Sequence, residues 1–271
     1  MPPSKKIYLM PRRIDLFSSL SFFSGAVVLA FLLLPLLEMM FAPSLETMGE
    51  AAADKNVRNA IGLSLGTACG AGLISFIIGT PFAYLLARKN FPGKKIVESI
   101  IDLPIMIPHP VIGIAILSVA GRNHWLGQAL LEAGIRIMGS ITGLVTVLTF
   151  VGLPFYVNAV KNGFESVPDR LERVSRTLGS TSGGAFMRVT FPLAWRSMLV
   201  GFIMCVARAI SEFGAVVIVA YHPMVAPVLI YERFTAYGLE YSQPVAVWLI
   251  LVSLMLFLLL RLASRPARRT A

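Results

Sequence analysis

The sequence has 271 residues, of which 56% are hydrophobic and only 14% are charged, and its formal net charge is +10. This composition, with a mean hydropathy of +0.75, argues against a soluble globular fold and predicts an integral membrane protein. The two cysteines, Cys69 and Cys205, lie in apolar segments without a His or Cys at ligand spacing, so we expect neither a disulfide framework nor a metal site.

Six apolar runs are long enough to cross a hydrocarbon core, which requires about 20 residues. They are Leu16–Leu37, Ala60–Leu86, Leu103–Ala120, Gly139–Val160, Ser197–Ala220 and Pro244–Leu262. The first run is longer than a signal-peptide core, and no Ala-x-Ala-like cleavage site follows it. We therefore expect a retained first helix and six membrane spans.

Basic residues are distributed unequally between the two sides that these spans define. With the N-terminus inside, eighteen Lys and Arg residues fall on the inner side and five on the outer side, while Arg208 lies inside a span. Positive charge accumulates in cytoplasmic loops, so this count predicts that both termini are cytoplasmic. It also removes most of the case for nucleic-acid binding, which the net charge alone would have allowed.

The longest polar interval runs from Lys161 to Trp195 and is predicted to lie in the cytoplasm. Ser166 and Asp169 have the spacing of a capping box, and Pro168 suits a first helical turn, so we expect a helix to start here. One narrow face of this helix is apolar and the remaining faces are charged. The apolar positions are Val167, Leu171, Val174 and Leu178, and the charged ones are Asp169, Arg170, Glu172, Arg173 and Arg176.

This first helix is predicted to end at a glycine turn. Gly179 stands where a left-handed residue commonly terminates a helix, and Thr181 or Ser182 can cap a second, short helix. Pro192 is expected to stop that second helix. The whole interval therefore predicts a helix, a turn and a second helix.

Several spans contain residues that plain lipid-facing helices rarely carry. In the second span, glycines are spaced so that another helix backbone could approach closely, although the same face could line a pore. These glycines are Gly62, Gly66, Gly70 and Gly72, with Gly79 beyond them.

The third span opens with three prolines in seven residues, Pro104, Pro108 and Pro110, and cannot form one regular helix. Broken backbone at membrane depth is tolerated inside protein or along a wet cavity, so Pro108 and His109 are candidates for a pathway wall. A kinked entry at the membrane surface is the alternative, and a histidine in this context is more often a hydrogen-bonded structural group than a ligand.

The fifth span carries the residues that are most expensive to bury in a membrane. Arg208 and Glu212 lie four residues apart, with Ser211 between them, so on one helix they would pair directly. Charged side chains at bilayer depth must face the bundle or a wet cavity. The pair either fixes helix packing or places Arg208 near the route of an anion.

Known catalytic motifs are missing from the sequence. It has no HExxH, no Gly-x-Ser-x-Gly and no phosphate-binding Gly-x-x-x-x-Gly-Lys-Ser/Thr loop. We therefore expect a chain that is not an enzyme, binds no cofactor and does not itself bind ATP.

The polar interval resembles the cytoplasmic loop of ABC-importer permeases. That loop has the consensus Glu-Ala-Ala, three residues, Gly, nine residues, Ile, one residue, Leu-Pro. The same frame here reads Arg173-Val174-Ser175, three residues, Gly179, nine residues, Val189, Thr190, Phe191-Pro192. The Gly, the Pro and the spacing match, whereas the glutamate occurs one place early, at Glu172.

A second resemblance narrows the family. The segment Ala207–Ala215, ARAISEFGA, is similar to the oxyanion branch of these permeases, which imports molybdate, tungstate and sulfate. The continuations VVIVAYHP and APVLIYERF are most similar to archaeal molybdate/tungstate permeases. The similarity covers roughly Asn59 to Leu262.

The resemblance implies an all-α, MetI-like type I importer fold in one permease domain, residues 1–271. Within it, residues 1–56 hold the tail, first span and outer loop, residues 57–262 the five-span core with a coupling loop at 161–196, and residues 263–271 a basic tail. The implied partners are a second copy of the chain, two cytoplasmic ATPase subunits and an external binding protein. The coupling residues would be Asp169, Arg170, Leu171, Glu172, Arg173, Val174, Ser175, Arg176, Leu178 and Gly179.

Other functions stay possible at this point. Within the family, a sulfate or thiosulfate permease is the main competitor. A secondary transporter would carry its own coupling-ion site and often inverted repeats, and neither is evident. A membrane-embedded enzyme would need convergent polar residues in several spans, and only Arg208 and Glu212 qualify.

Overall fold

The structure is a computed structural model that describes residues 16–263. The basic residues that precede Leu16, and those of the predicted tail beyond Ala263, lie outside the described residues. Throughout the described part the chain forms helices, turns and loops, and it contains no strand. It divides into two compact units, Met1–Ser44 and Leu45–Ala271.

In its described residues, 16–44, the first unit contains one long helix, α1, Leu16–Phe41. The predicted first span ended at Leu37, so the helix continues four residues further. Its Ser19–Phe41 portion is long and apolar enough to cross a membrane, with a mean hydropathy of 2.4.

The second unit contains twelve helices in the described residues and one π-helical turn, Phe186–Thr190, between the ninth and tenth helices of the chain. In chain order the helices are α2 Leu45–Ala53, α3 Lys55–Arg88, α4 Lys94–Met106, α5 His109–Ala120, α6 Trp125–Glu132, α7 Ile141–Ser166, α8 Asp169–Thr177, α9 Ser182–Ala185, α10 Phe191–Ile210, α11 Gly214–Val219, α12 Ala226–Tyr237 and α13 Leu239–Ala263. Between residues 16 and 263, five helical segments including α1 have the length and composition of membrane spans, and the bent pair α4 and α5 gives a sixth when it is counted as one span.

Helices α3, α7 and α10 pack against one another and form the core of this unit. Small residues allow the close approach: a Cβ at Gly72 would lie 2.8 Å from Phe202, and one at Gly79 would lie 2.7 Å from Tyr156. The predicted glycine face is therefore divided, because Gly62 and Gly66 have no atom within 4 Å of a Cβ. Close helix packing therefore explains Gly72 and Gly79 but not Gly62 and Gly66.

Among the glycines at the interface of α7 and α10, Gly163 leaves the least room for a side chain, so its substitution tests the packing of these helices. A Cβ at Gly163 would lie 2.2 Å from the Ser197 Cβ, so even alanine forces the helices apart. We expect Gly163→Ala to lower the free energy of unfolding by about 1–3 kcal/mol, measured by thermal unfolding in detergent. Gly49→Ala on α2 is the control, since nothing lies within 4 Å of its Cβ. Equal stability of the two variants would contradict this packing.

The third predicted span is broken, as its prolines required. Helices α4 and α5 meet at an angle of 113° around Ile107 and Pro108. The break places His109 at the first residue of α5, which is only 12 residues long. At 1.5 Å per residue such a helix covers about 18 Å, so α5 cannot cross a bilayer alone.

The fifth span was predicted as one run from Ser197 to Ala220, and this is wrong. Helix α10 ends at Ile210, and the chain turns through Ser211–Phe213 before the short α11 begins at Gly214. Polar side chains hold the break: the Ser211 hydroxyl donates to the Arg208 carbonyl at 3.0 Å, and the Ala215 N–H donates to Glu212 at 2.9 Å. Apolarity alone could not reveal this interruption.

The two short helices on either side of these breaks, α5 and α11, pack against each other. A Cβ at Gly214 would lie 3.0 Å from the His109 Cβ, and one at Gly113 would lie 2.9 Å from the Ala215 carbonyl oxygen. The two glycines therefore let the broken third span and the broken fifth span come together. This contact brings His109 next to Arg208 and Glu212.

Candidate functional site

The predicted helix of the polar interval is present as α8, Asp169–Thr177, but its start differs from the expectation. Ser166 is the last residue of α7, and its hydroxyl donates to the Gly163 carbonyl at 2.7 Å. The expected capping box is therefore wrong, because the preceding span continues through the serine. Pro168 instead occupies the cap position of α8, without a side-chain cap.

Helix α8 contains no buried residue. Its predicted apolar face is presented to the outside, with Leu171 39%, Val174 49% and Leu178 82% exposed, whereas Val167 is buried before the helix begins. An amphipathic helix whose apolar face has no partner within its own fold is typical of a surface that binds another protein. The charged positions Arg170, Arg173 and Arg176 are exposed beside it.

The turn after α8 matches the prediction at its glycine. Gly179 has φ +92°, the left-handed region that residues with a Cβ rarely adopt. The Ser180 N–H donates to the Ser175 carbonyl at 3.1 Å and closes the end of the helix. Thr181 then caps α9, since its hydroxyl oxygen accepts the Gly184 N–H at 3.1 Å.

Pro192 does not stop the second helix, contrary to the prediction. Helix α9 continues through the π-helical turn into α10, and Pro192 lies in the first turn of α10. In the π-helical turn the Phe191 N–H donates to the Phe186 carbonyl, a five-residue step. This wider spacing accommodates a residue without an N–H, so the chain remains helical from Ser182 to Ile210.

The inner side of α8 is held by Glu172. Its carboxylate accepts hydrogen bonds from Tyr84 at 2.7 Å, from the Arg88 Nε at 2.9 Å and from the Thr190 hydroxyl. Arg88 also pairs with Asp169, with 2.6 Å between Nη1 and Oδ1. The side chains of Arg88 and Glu172 are only 8% and 13% exposed. We call Tyr84, Arg88, Asp169, Glu172 and Thr190 the α8 anchor.

Burial alone would raise the pKa of Glu172, but the hydrogen bonds from Thr190, Tyr84 and Arg88 outweigh it and hold this pKa below its ordinary value. The carboxylate is therefore charged at neutral pH. The sequence predicted Glu172 as a charged coupling residue and as a displaced motif glutamate, but it did not predict its role as an anchor or its partners Tyr84, Arg88 and Thr190. The four-residue spacing of Tyr84 and Arg88 at the end of an apolar run was the available signal.

A second polar cluster lies where the broken spans meet, and it joins the predicted Arg208, Glu212 and His109. The Arg208 Nη2 lies 2.8 Å from the Glu212 Oε2 and 2.6 and 2.9 Å from the two ring nitrogens of His109. His109 Nδ1 is also 3.0 Å from the Glu212 Oε2. The predicted pair is thus confirmed, although Glu212 lies beyond the end of the helix that carries Arg208.

The members of this cluster differ in exposure. The Glu212 side chain is completely buried, that of Arg208 is 18% exposed and that of His109 is 37% exposed. Ser211 is exposed, and its hydroxyl lies 3.3 Å from the Arg208 Nη1, while Pro108 is exposed nearby. Within residues 16–263, no group of three or more His, Cys, Asp or Glu side chains is placed to hold a metal ion.

Comparison with known proteins gives the family of this chain. Residues 79–270 match the model of the binding-protein-dependent transport system inner membrane component. The molybdate/tungstate transport system permease protein WtpB of Methanocaldococcus jannaschii is 41% identical over 244 residues, which is 90% of this chain and 95% of that protein. The sulfate transport system permease protein CysT of Synechocystis sp. is 34% identical over 209 residues, 76% of this chain and 73% of that protein.

The fold has a counterpart among solved structures. A bacterial ABC transporter involved in the import of the acidic polysaccharide alginate has a chain that superimposes with a TM-score of 0.74 at 17% identity, covering 96% of this chain and 97% of that one. The expected all-α fold of an ABC-importer permease is thereby confirmed. The chain belongs to the family of binding-protein-dependent transport system inner membrane components.

Proposed function

We propose that the chain is the permease subunit of an ABC importer that moves molybdate or tungstate into the cell by alternating access. The name of the relative from Methanocaldococcus jannaschii, which matches nearly the whole chain, supports the substrate. The more distant CysT relative makes sulfate the second candidate. Separate ATPase subunits supply the energy, so the permease itself catalyses no reaction.

The observation that carries this proposal is the two-sided character of α8. Its inner side is fixed to α3 by the α8 anchor, while Leu171, Val174 and Leu178 remain exposed. A helix held in this way passes the movement of a docked ATPase to the membrane core as a rigid body. The proposed docking residues are Asp169, Arg170, Leu171, Glu172, Arg173, Val174, Ser175, Arg176, Leu178 and Gly179.

The complete importer contains two copies of this chain, two cytoplasmic ATPase subunits and an external binding protein that delivers the anion. We place both termini and α8 on the cytoplasmic side of the cell membrane, in agreement with the distribution of basic residues. The single permease domain spans residues 1–271, with the subdivision predicted from the sequence.

A division of labour between binding protein and permease follows from the chemistry of the substrate. A doubly charged oxyanion is selected by tight, well-aligned hydrogen bonds, but a conduit with such bonds would not release it. Selection therefore belongs to the binding protein. The pathway through the permease is weakly polar, and we place Pro108, His109, Arg208, Ser211 and Glu212 along it.

Uptake by the reconstituted importer tests this function. Proteoliposomes with the permease, the ATPase and the loaded binding protein are expected to accumulate radioactive tungstate when ATP is enclosed on the ATPase side. Omission of any one protein is expected to abolish uptake, and excess molybdate should compete more strongly than excess sulfate. Uptake by the permease alone would contradict the assignment, and stronger competition by sulfate would replace molybdate and tungstate with sulfate.

A further inference from the structure

We propose that Arg208, His109 and Ser211 form a transit site for the oxyanion, and that Glu212 is an internal counter-anion that keeps this site weak. The proposal rests on the proposed function, since it assigns the cluster to the route of the transported anion. It gives the Arg208–Glu212 pair a role in substrate release in addition to helix packing.

Glu212 occupies the position that a small anion would take. One of its oxygens, Oε1, accepts the Ala215 N–H at 2.9 Å, and the other accepts the Arg208 Nη2 at 2.8 Å. The carboxylate is completely buried, so its charge is compensated by these donors and by the His109 ring beside it. The Glu212 carboxylate therefore already takes up the donors that a bound oxyanion would use.

The donor side of the cluster remains accessible. Arg208 is partly exposed, and it stands between Ser211 and His109, which are both more open. Partly exposed charged groups among membrane spans require water or protein around them and cannot face lipid. The surface formed by these three residues is therefore lined by a wet path or by another subunit. It is where a tetrahedral oxyanion can receive N–H donors from Arg208, and an O–H donor from Ser211 once that hydroxyl turns away from the Arg208 carbonyl.

The competition between Glu212 and substrate sets the affinity of this site. An uncompensated guanidinium at membrane depth would attract a dianion strongly, because charges interact far more strongly there than in water. Such a site would retain the substrate and slow every transport cycle. With Glu212 bound to Arg208, the carboxylate offsets the charge of the guanidinium, and the passing anion still meets hydrogen-bond donors. Brief binding and rapid release follow.

The test is equilibrium binding of radioactive tungstate and of sulfate to the purified permease–ATPase complex without binding protein. Glu212→Gln is expected to tighten binding of the transported anion by about tenfold or more, and to slow its uptake, because the amide removes the competing charge. The double variant with Arg208→Gln should return to weak binding. Glu132→Gln on α6 is the matched control for loss of a carboxylate elsewhere.

A second variant avoids disturbing the buried carboxylate. Ser211→Lys adds a second cation on the exposed side of the cluster, so that one Glu212 carboxylate faces two cations, and it is also expected to tighten binding. Thermal unfolding and co-purification with the ATPase establish that each variant is folded. Unchanged anion affinity in folded Glu212→Gln or, where that variant does not fold, in Ser211→Lys would overturn the proposal.

The outcomes separate this proposal from the proposed function. If the wild-type complex imports sulfate and not tungstate, the substrate assignment fails, and tighter sulfate binding in Glu212→Gln still supports the counter-anion. If the wild type imports tungstate and neither variant binds either anion more tightly, the proposed function stands and the counter-anion is wrong.

Discussion

Replacing Gly179 with valine is expected to uncouple ATP hydrolysis from anion uptake while leaving insertion and assembly intact. The glycine has φ +92°, where a β-branched residue is strained by about 1–3 kcal/mol, and nothing lies within 4 Å of a Cβ there. The strain therefore acts on the backbone of the turn and not on packing. Relief of the strain would rotate α8 against α9, so its docking face would no longer move with α10.

The measurement is the number of tungstate ions imported for each ATP hydrolysed in proteoliposomes. We expect this ratio to fall about tenfold in Gly179→Val, the change that 1.4 kcal/mol produces in an equilibrium. Gly183→Ala is the matched control, because Gly183 is four residues away in α9 with a negative φ and equally open space. A normal ratio in Gly179→Val would refute the coupling role of this turn.

Replacing Glu172 with alanine is expected to detach α8 from the membrane core. The change removes the acceptor of Tyr84, Arg88 and Thr190. Hydrogen bonds to a charged group contribute about 1.5–3 kcal/mol each, and Arg88 would keep only its pair with Asp169. We expect uptake for each ATP to fall more than tenfold. Backbone amides of α8 should exchange hydrogen at least tenfold faster, measured by mass spectrometry.

The control for this prediction is Glu165→Ala. Glu165 is 44% exposed and makes only a long contact with Lys161, 3.8 Å between the charged atoms, so its removal should change neither quantity.

The pH dependence of hydrogen exchange in the wild type provides a further check. Because the pKa of Glu172 is lowered in the folded protein, its stabilising contribution is complete above the ordinary carboxylate value of about 4.3. This contribution is lost only as the pH falls through the lower folded pKa. Hydrogen exchange in α8 at pH 5 should therefore match that at pH 7, once both are corrected for the pH dependence of the intrinsic exchange rate.

Exchange in α8 that is equally slow in Glu172→Ala and Glu165→Ala would show that the α8 anchor does not hold the helix. Faster exchange with an unchanged transport ratio would instead separate anchoring from coupling. Either result would contradict the rigid-body role that we give to α8.

Much of the membrane architecture could be predicted because it follows from apolarity over long distances. The runs Ala60–Leu86, Gly139–Val160 and Pro244–Leu262 each identified a helix. Helices α3 and α13 extend beyond their runs at both ends, whereas α7 begins two residues later than predicted and continues to Ser166. The break near Pro108 was also predictable, since proline removes a backbone donor. Gly179 was found because a left-handed cap depends on local chain geometry alone.

The errors at Glu212 and Glu172 come from contacts with other spans, whereas the predictions at Ser166 and Pro192 failed because a helix continues through each of these residues. Glu212 lies outside α10 because its carboxylate bonds to Ala215 and Arg208 beside His109 of another span. Apolar periodicity continues across that break and cannot indicate it. Similarly, Glu172 was interpreted as a departure from a motif, because its partner Arg88 lies 84 residues earlier. Three-dimensional packing, not local propensity, makes both carboxylates important.

The central claim is that the exposed face of α8 docks an ATPase, and photo-crosslinking tests it most directly. A photoreactive phenylalanine analogue at Leu178, which is 82% exposed, is predicted to form an adduct with the ATPase subunit in the assembled importer. The same analogue at Trp125, 71% exposed on α6 and predicted on the outer side, should form none. An ATPase adduct from position 125 and none from position 178 would contradict the account.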